Sequence, residues 1–226
     1  MAERETLQRL SRRLTRAGVD IPDDHLSHLA AYVELLAKWN RKISLTSLPV
    51  DPLSDDAADR LIVEPVIAAR SIASSDRVVM DVGSGGGSPA VPFFIAAGAA
   101  DVGTPRPLQM VMVEVKVRKS AFLREVVRQL SLPRVTVETC RVEELLARPE
   151  LHEAADLVTI RAVRPDRRLL VAIQAFLRPG GRLFLFGAES STKPEMLPVF
   201  TSGHIETLVA SAGSQLLVMN KNAKLF

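Results

Sequence analysis

The sequence predicts an α/β fold in which a mostly parallel sheet follows a helical extension. From residue 77 onward, short runs rich in β-branched residues alternate with segments of helical periodicity, a pattern typical of parallel strands joined by helices. Between residues 3 and 70, apolar side chains recur at helical spacing without a strand-like stretch. A glycine-rich turn after the first predicted strand indicates a ligand site. We therefore expect a helical extension over residues 1–75 and a Rossmann-like domain over residues 76–226.

Seven strands are expected in this sheet. The first five lie at residues 78–82, 110–114, 135–139, 157–160 and 183–186. Helices at residues 89–99, 116–130 and 165–177 are long enough to form the crossovers that parallel strands need. The last two strands, at residues 204–210 and 215–220, have no full helix between them and predict a closing antiparallel hairpin.

The composition indicates a globular protein without a membrane segment. The 226 residues are 47% hydrophobic and 24% charged, which suffices for a sizeable core. No apolar run reaches the ~18 residues of a membrane span, and the amino terminus lacks the pattern of a signal peptide, so we expect a cytoplasmic location. Cys140 and four histidines provide no metal-ligand pattern. We predict no metal.

Two arginine clusters allow a polyanionic partner, although the net charge is only +3. Five arginines crowd residues 4–16, where a solvated helix face is the simpler interpretation. Arg164, Arg167 and Arg168 follow the fourth predicted strand. They are candidates for contacting nucleic-acid phosphates, or alternatively form the charged start of a helix.

The glycine loop after the first strand is the most informative stretch. Glycine permits close approach of the main chain to a ligand, and the following helix offers unpaired amides to an anionic group. A dinucleotide loop has glycine at its first, third and sixth positions; Gly83 and Gly85 fit, but the sixth position is Ser88. Gly87 at the fifth position, with Asp81 before the turn, is better suited to S-adenosylmethionine.

Two later strand ends supply further candidates for nucleoside binding. Glu114 closes the second strand, where its carboxylate can accept hydrogen bonds from both hydroxyls of a ribose; a surface glutamate is the alternative. Val142 and Glu143 follow the third strand, at the edge where open sheets place ligand-contacting loops. They can meet an adenine ring, or Glu143 can simply cap a short helix.

Five ordered motifs resemble the bacterial ribosomal RNA small-subunit methyltransferase G family, also called glucose-inhibited division protein B. They lie at residues 35–46 (LLAKWNRKISLT), 81–92, 118–123, 141–144 and 161–163. The resemblance covers nearly the whole chain. It implies a class I S-adenosylmethionine-dependent methyltransferase fold with a helical extension, and methylation of guanine N7 in 16S ribosomal RNA, as naked RNA or in the small subunit.

The resemblance also implies cofactor contacts position by position. They fall on Gly83, Ser88, Val142, Glu143 and Arg161, to which we add Glu114 from its strand-end position. We identify no catalytic residue, and Arg161 is a positioning candidate that can contact either the cofactor or the incoming base. The sequence departs from the family pattern at four places: Ser88 replaces a bulky residue, Ala90 replaces a glycine, Gly187–Ala188 replaces a lysine–glycine pair, and Ile160 replaces a serine. The resemblance therefore implies less about the substrate side than about the cofactor.

Two other functions stay open at this level. A methyltransferase for a small molecule would use the helical extension as a lid over a closed pocket. A nonenzymatic RNA-binding assembly factor would keep only a vestigial cofactor site. Turnover without RNA identifies the first, and absence of methyl transfer identifies the second. A nicotinamide dehydrogenase is disfavoured by the glycine spacing.

Overall fold

The computed structural model describes residues 2–99, 108–132, 134–163, 166–187, 200–209 and 213–222. The α-helices are α1 (Ala2–Arg16), α2 (Asp23–Asn40), α3 (Asp55–Ala58), α4 (Glu64–Ala68), α5 (Ala90–Ala99), α6 (Val117–Gln129) and α7 (Arg167–Phe176). A π-helical turn, Asp59–Val63, joins α3 to α4, and short 3-10 turns lie at Ala69–Ser71, Val142–Ala147 and Pro149–Leu151. The strands are β1 (Val78–Val82), β2 (Gln109–Val113), β3 (Val135–Glu138), β4 (Ala155–Arg161), β5 (Leu177–Phe186), β6 (Phe200–Thr207) and β7 (Gln215–Lys221).

The seven strands form one sheet in the order β3-β2-β1-β4-β5-β7-β6. Strands β1 to β5 are parallel, whereas β7 runs antiparallel to both β5 and β6. The predicted mostly parallel sheet and its closing hairpin are therefore confirmed. The direction of strand addition reverses between β1 and β4, and such a switch point is where open α/β sheets bind ligands.

Strand β5 is longer than predicted because a sequence typical of a turn lies inside it. We expected the strand to begin at residue 183, after a helix that ends at residue 177. Instead Ala155 pairs with Leu177, and a register shift precedes the pairing of Leu157 with Arg182. The glycines of Pro179–Gly181 are accommodated in this irregular stretch, since a bulge tolerates them within a strand. Strand β4 begins correspondingly earlier than predicted.

The two faces of the sheet are covered differently. One apolar cluster joins the amino-terminal helices and α6 to one face, where Tyr32, Val79 and Phe184 are buried together. A second cluster packs α7 against the other face, with Ile173 and Leu183 among its residues. The helical extension is thus continuous with the sheet in its packing. The boundary at residue 75 stays a prediction. Along the described ranges, no helix combines the length and the hydropathy of a membrane span.

Candidate active site

A cavity of about 1270 Å³ opens at the carboxyl ends of the parallel strands. It is lined by every cofactor candidate that the sequence suggested, namely Gly83, Ser88, Glu114, Val142, Glu143 and Arg161. The cavity exceeds the ~300–1,000 Å³ of an ordinary small-molecule pocket. It therefore has room for a nucleoside cofactor and for part of a second reactant.

The loop after β1 needs glycine at positions where the main chain turns and contacts its neighbours. Gly83 has φ of +78°, and a Cβ atom there would lie 2.5 Å from Val163 Cγ2. Gly87 has φ of +88°, and its Cβ would meet the Tyr32 ring at 3.2 Å. Such φ values are strained for residues with a side chain. The loop consequently fits between the helical extension and the loop after β4 only because these residues lack side chains.

The helical extension contacts the glycine loop through a hydrogen bond from α2. The Tyr32 hydroxyl on α2 donates to the main-chain oxygen of Gly86 at 2.6 Å, and burial of the ring raises the pKa of Tyr32. At the end of α2, the Asn40 side chain accepts from the amides of Leu45 and Thr46 at 2.8 and 3.0 Å. Leu45 and Thr46 line the cavity. The motif at residues 35–46 thus forms one of its walls.

Glu114 links the glycine loop to the start of α6. Its carboxylate accepts from the Gly85 amide at 2.9 Å and from the Lys116 amide at 2.8 Å. The residue is 6% exposed, so the interpretation as a surface glutamate is wrong. Each carboxylate oxygen keeps a further lone pair. Glu114 can therefore order the loop and still accept from a ligand in the cavity.

The turn after β3 presents one apolar and one acidic residue to the cavity. Val142 is 6% exposed, whereas Glu143 is exposed, and both line the cavity. Capping of this 3-10 turn involves Glu144, whose carboxylate accepts from the Arg141 amide at 2.9 Å. The cap that we considered for Glu143 is therefore formed by its neighbour, which leaves Glu143 available to a ligand.

Arg161, the last residue of β4, forms a mostly buried ion pair with α4. Its Nη2 donates to Glu64 Oε2 at 2.6 Å, and its Nη1 donates to the main-chain oxygen of Arg60. The guanidinium also lies 4.6 Å from the centroid of the Phe186 ring, a cation–π contact. Burial lowers the pKa of Arg161 and raises that of Glu64, and the charge of each opposes the shift of the other.

The π-helical turn Asp59–Val63 supplies main-chain acceptors to this side of the cavity. The oxygens of Arg60 and Leu61 accept from the side chains of Arg161 and Ser88, the latter at 2.8 Å. Arg161 Nη1 also lies 3.4 Å from Ser88 Oγ. Interruptions of this kind are frequent at functional sites. Ser88 thus connects the glycine loop to the helical extension.

The other departures from the family pattern lie in different surroundings. Ala90 is fully buried at the start of α5, and Ile160 is 1% exposed in the core beneath α7. Ile160 is not a cavity residue among those described. Gly187 lines the cavity, whereas Ala188 lies outside the described residues.

Asp81 is a buried acid beneath the glycine loop. It is 1% exposed, and Thr159 Oγ1 on β4 donates to its Oδ1 at 2.5 Å. Its Oδ2 has no hydrogen-bond partner among the described residues. Burial raises the pKa of Asp81 to about 6, although the nearby Ser84 hydroxyl, the hydrogen bond from Thr159 and the charge of Arg161 oppose the shift.

Asp81→Asn is expected to remove a pH dependence of stability. Because the folded pKa of about 6 exceeds the unfolded value of ~3.9, Asp81 favours folding most below pH ~4, and this contribution is lost as the pH rises through 6. The variant should gain up to about 3 kcal/mol over the wild type between pH 4 and pH 7. Urea unfolding measured at each pH checks this; parallel stability curves would contradict it.

Two of the three arginines proposed to contact RNA, Arg167 and Arg168, lie between the cavity residues Asp166 and Leu169. Arg167 and Arg168 are exposed at the start of α7, which Asp166 caps by accepting from the Leu169 amide at 2.8 Å. Arg164 lies outside the described residues. Across the described ranges, no three His, Cys, Asp or Glu side chains come together as metal ligands.

Sequence reasoning missed the contribution of the helical extension to the site. Glu64, Arg60 and Leu61 line the cavity, but none was a candidate, because a glutamate in a helical segment is usually solvated. The sequence does contain one indication that Glu64 is buried. Glu64 is flanked by Ile62, Val63, Pro65 and Val66, and a single carboxylate in an apolar stretch indicates a buried acid that needs a partner.

Comparison with known proteins assigns the chain to a family. Residues 25–197 match the family model described as rRNA small subunit methyltransferase G. The chain belongs to this family. A ribosomal RNA small subunit methyltransferase G from Burkholderia thailandensis is 32% identical over 187 residues, which cover 81% of this chain and 76% of that protein. The relative of the same name from Rhodospirillum centenum is 34% identical over 166 residues, 74% of this chain and 68% of that protein.

Solved structures agree on the fold. A Klebsiella pneumoniae protein described as an O-methyltransferase has a TM-score of 0.59 at 15% identity, covering 85% of this chain and 90% of that one. The [4+2]-cyclase SpnF has a TM-score of 0.55 at 18% identity, covering 90% and 98%. The methyltransferase G chain therefore has the class I methyltransferase fold. Since one of these neighbours is a cyclase, the fold alone leaves the reaction open.

Proposed function

We propose that this member of the methyltransferase G family transfers the methyl group of S-adenosylmethionine to N7 of a guanine in 16S ribosomal RNA. The proposal rests above all on the cavity at the β1/β4 switch point, which all six cofactor candidates line. The names of the relatives support the substrate. A ribosomal substrate, free or in the small subunit, would place the reaction in the bacterial cytoplasm.

The residues of the cavity fit an adenosine-containing cofactor. The glycine loop exposes main chain at Gly83, the buried Glu114 carboxylate has lone pairs for ribose hydroxyls, and Val115 beside it is a 50% exposed apolar side chain. Val142 and Glu143 would contact the adenine. When bound, S-adenosylmethionine supplies an electrophilic methyl group on a sulfonium. We propose Ser88 and Arg161 as the remaining contacts.

Methyl transfer to guanine N7 requires the protein mainly to position the base and the cofactor. Guanine N7 carries a lone pair and no proton, so its attack on a methyl group requires no general base. Alignment of the reactants can then supply much of the rate enhancement, of the ~7–11 kcal/mol that well-oriented systems reach. The chain's own residues would orient the base, exclude water and hold the RNA. For phosphate contacts we propose the exposed Arg167 and Arg168, together with Arg164.

Glu114→Gln should weaken S-adenosylmethionine binding by about 100-fold, or ~2.7 kcal/mol. The substitution removes the charge that strengthens the bonds from Gly85 and Lys116, and one amide position becomes a donor that faces another donor. Isothermal titration of the cofactor measures the loss.

Glu138→Gln is the matched control for this prediction. Glu138 ends the adjacent strand β3 and pairs with Arg148 at 2.9 Å, but it is not a residue of the cavity. Its variant should bind the cofactor as the wild type does. Equal affinities for all three proteins would remove Glu114 from the site.

The function is tested by incubating the protein with labelled S-adenosylmethionine and small ribosomal subunits that lack methylation, then mapping the labelled base. Label at guanine N7 supports the proposal, and label at another atom refutes the assigned specificity. Turnover on small molecules without RNA would indicate the first alternative function. Binding to subunits without methyl transfer would indicate an assembly factor.

A further inference from the structure

The cavity has a second half, away from Glu114, in which Arg161 is a proposed cofactor contact but Glu64, Phe186 and Ser214 are not. Strands β2 and β3 lie on one side of β1, and β4 and β5 lie on the other. The second half is formed at the ends of β4 and β5 by Arg161 and Phe186, with Glu64 from α4 and Ser214 before β7. A second reactant that meets the cofactor at the switch point would occupy this half.

Glu64 brings an incompletely paired carboxylate to this region. Its side chain is 6% exposed, and Oε2 accepts from Arg161 at 2.6 Å. Oε1 is buried and has no hydrogen-bond partner among the described residues. Burial raises the pKa of Glu64, and the charge of Arg161 and the nearby Ser214 hydroxyl oppose this shift. A buried acceptor without a donor is costly. Oε1 therefore points to a donor that arrives with a ligand.

Selecting guanine over adenine requires a contact of this kind, because the N7 atom alone does not distinguish the two bases. Adenine has the same N7 acceptor. The two purines differ on the opposite edge, where guanine presents two adjacent donors, N1–H and the N2 amino group, and adenine presents an acceptor at N1. A carboxylate complements the guanine edge and repels the adenine edge.

We propose that Glu64 reads the Watson–Crick edge of the target guanine, with Oε1 accepting a hydrogen bond from the N2 amino group. The inference rests on the proposed function and extends it by naming the specificity-determining residue. Arg161 fixes the carboxylate through Oε2 and is itself held by the Arg60 main-chain oxygen and the Phe186 ring. The acceptor is thus positioned before the base arrives.

The test compares guanosine with inosine, which keeps N7 and N1–H but lacks the N2 amino group. Small subunits are reconstituted from ligated RNA that carries either base at the methylated position, and kcat/KM for methyl transfer is measured. Wild-type protein should prefer guanosine by about 10- to 100-fold. In Glu64→Met, which removes both acceptors, and in Glu64→Gln, which adds a donor, the preference should fall below about 3-fold.

Asp59→Asn is the matched control. Asp59 is another buried carboxylate of the same helical segment, paired with Arg13, but it is not a residue of the cavity. Its variant should keep the full preference for guanosine even where it is less stable. This result separates base reading from a general loss of folding.

The possible results separate a failure of the role proposed for Glu64 from a failure of the proposed methyl transfer. If the wild type methylates guanosine and inosine equally, or if both Glu64 variants keep the wild-type preference, Glu64 does not read the base while the proposed function stands. If the wild type transfers no methyl group to guanosine, the proposed function itself fails. Equal methylation of the two bases by the wild type would refute the inference even where a Glu64 variant does not fold.

Discussion

Arg161→Met should destabilise the protein by about 3–5 kcal/mol and reduce kcat/KM for methyl transfer at least about 100-fold. The Arg161 side chain is 17% exposed and Glu64 is 6% exposed. Removing the arginine leaves a buried carboxylate without its counter-charge, a situation that costs more than the pair contributes. Denaturant unfolding and single-turnover kinetics measure the two effects.

The double variant Arg161→Met/Glu64→Met separates stability from activity. Buried ion pairs replaced by apolar residues of similar size often retain or gain stability, so the double variant should recover most of the lost unfolding free energy. It should not recover methyl transfer, because both polar contacts are gone. Recovery of activity would show that the pair serves folding only, and failure to recover stability would show that the two residues are not coupled.

Gly83→Ala is expected to weaken S-adenosylmethionine binding at least about 100-fold, or ~2.7 kcal/mol. The new methyl group would lie 2.5 Å from Val163 Cγ2, at a φ of +78°. Left-handed backbone costs about 1–2 kcal/mol for a residue with a side chain, so the loop must move to relieve strain and collision together. A displaced loop changes the shape of the cavity wall and, through the hydrogen bond from the Gly85 amide, the position of the Glu114 carboxylate. Calorimetric titration of the cofactor checks the affinity.

Gly18→Ala is the control for backbone strain. Gly18 also has a positive φ, +68°, but nothing lies within 4 Å of its Cβ position, and it is not a residue of the cavity. This variant should lose about 1 kcal/mol of stability and keep its cofactor affinity. If both variants bind the cofactor equally well, close approach at Gly83 is not required.

The fold could be predicted from the sequence because its elements are strongly patterned. Strand β1 coincides with its prediction at residues 78–82, since apolar β-branched residues end abruptly at glycine. The closing hairpin followed from the short connection between two strand-like runs. The start of β5 was missed because Pro179–Gly181 has the composition of a turn, and only pairing with β4 keeps this stretch in the sheet. Local sequence does not encode that pairing.

The cofactor half of the site could also be anticipated, whereas the substrate half could not. Gly83 and Glu114 follow predicted parallel strands, and the carboxyl ends of such strands share one edge of the sheet. Glu64 belongs to the helical extension, about a hundred residues before its partner Arg161. No periodicity signals a contact of that separation, so it required the tertiary structure.

The hydrogen bond from Tyr32 to Gly86 connects the glycine loop to α2, which lies much earlier in the chain. The amino-terminal helices cannot rotate away from the sheet without breaking this hydrogen bond and exposing the completely buried ring of Tyr32. Ligands must instead enter the cavity from its open side, at the carboxyl ends of the strands. A chimaera that exchanged these helices with those of a distant homologue would therefore have to exchange the glycine turn along with them.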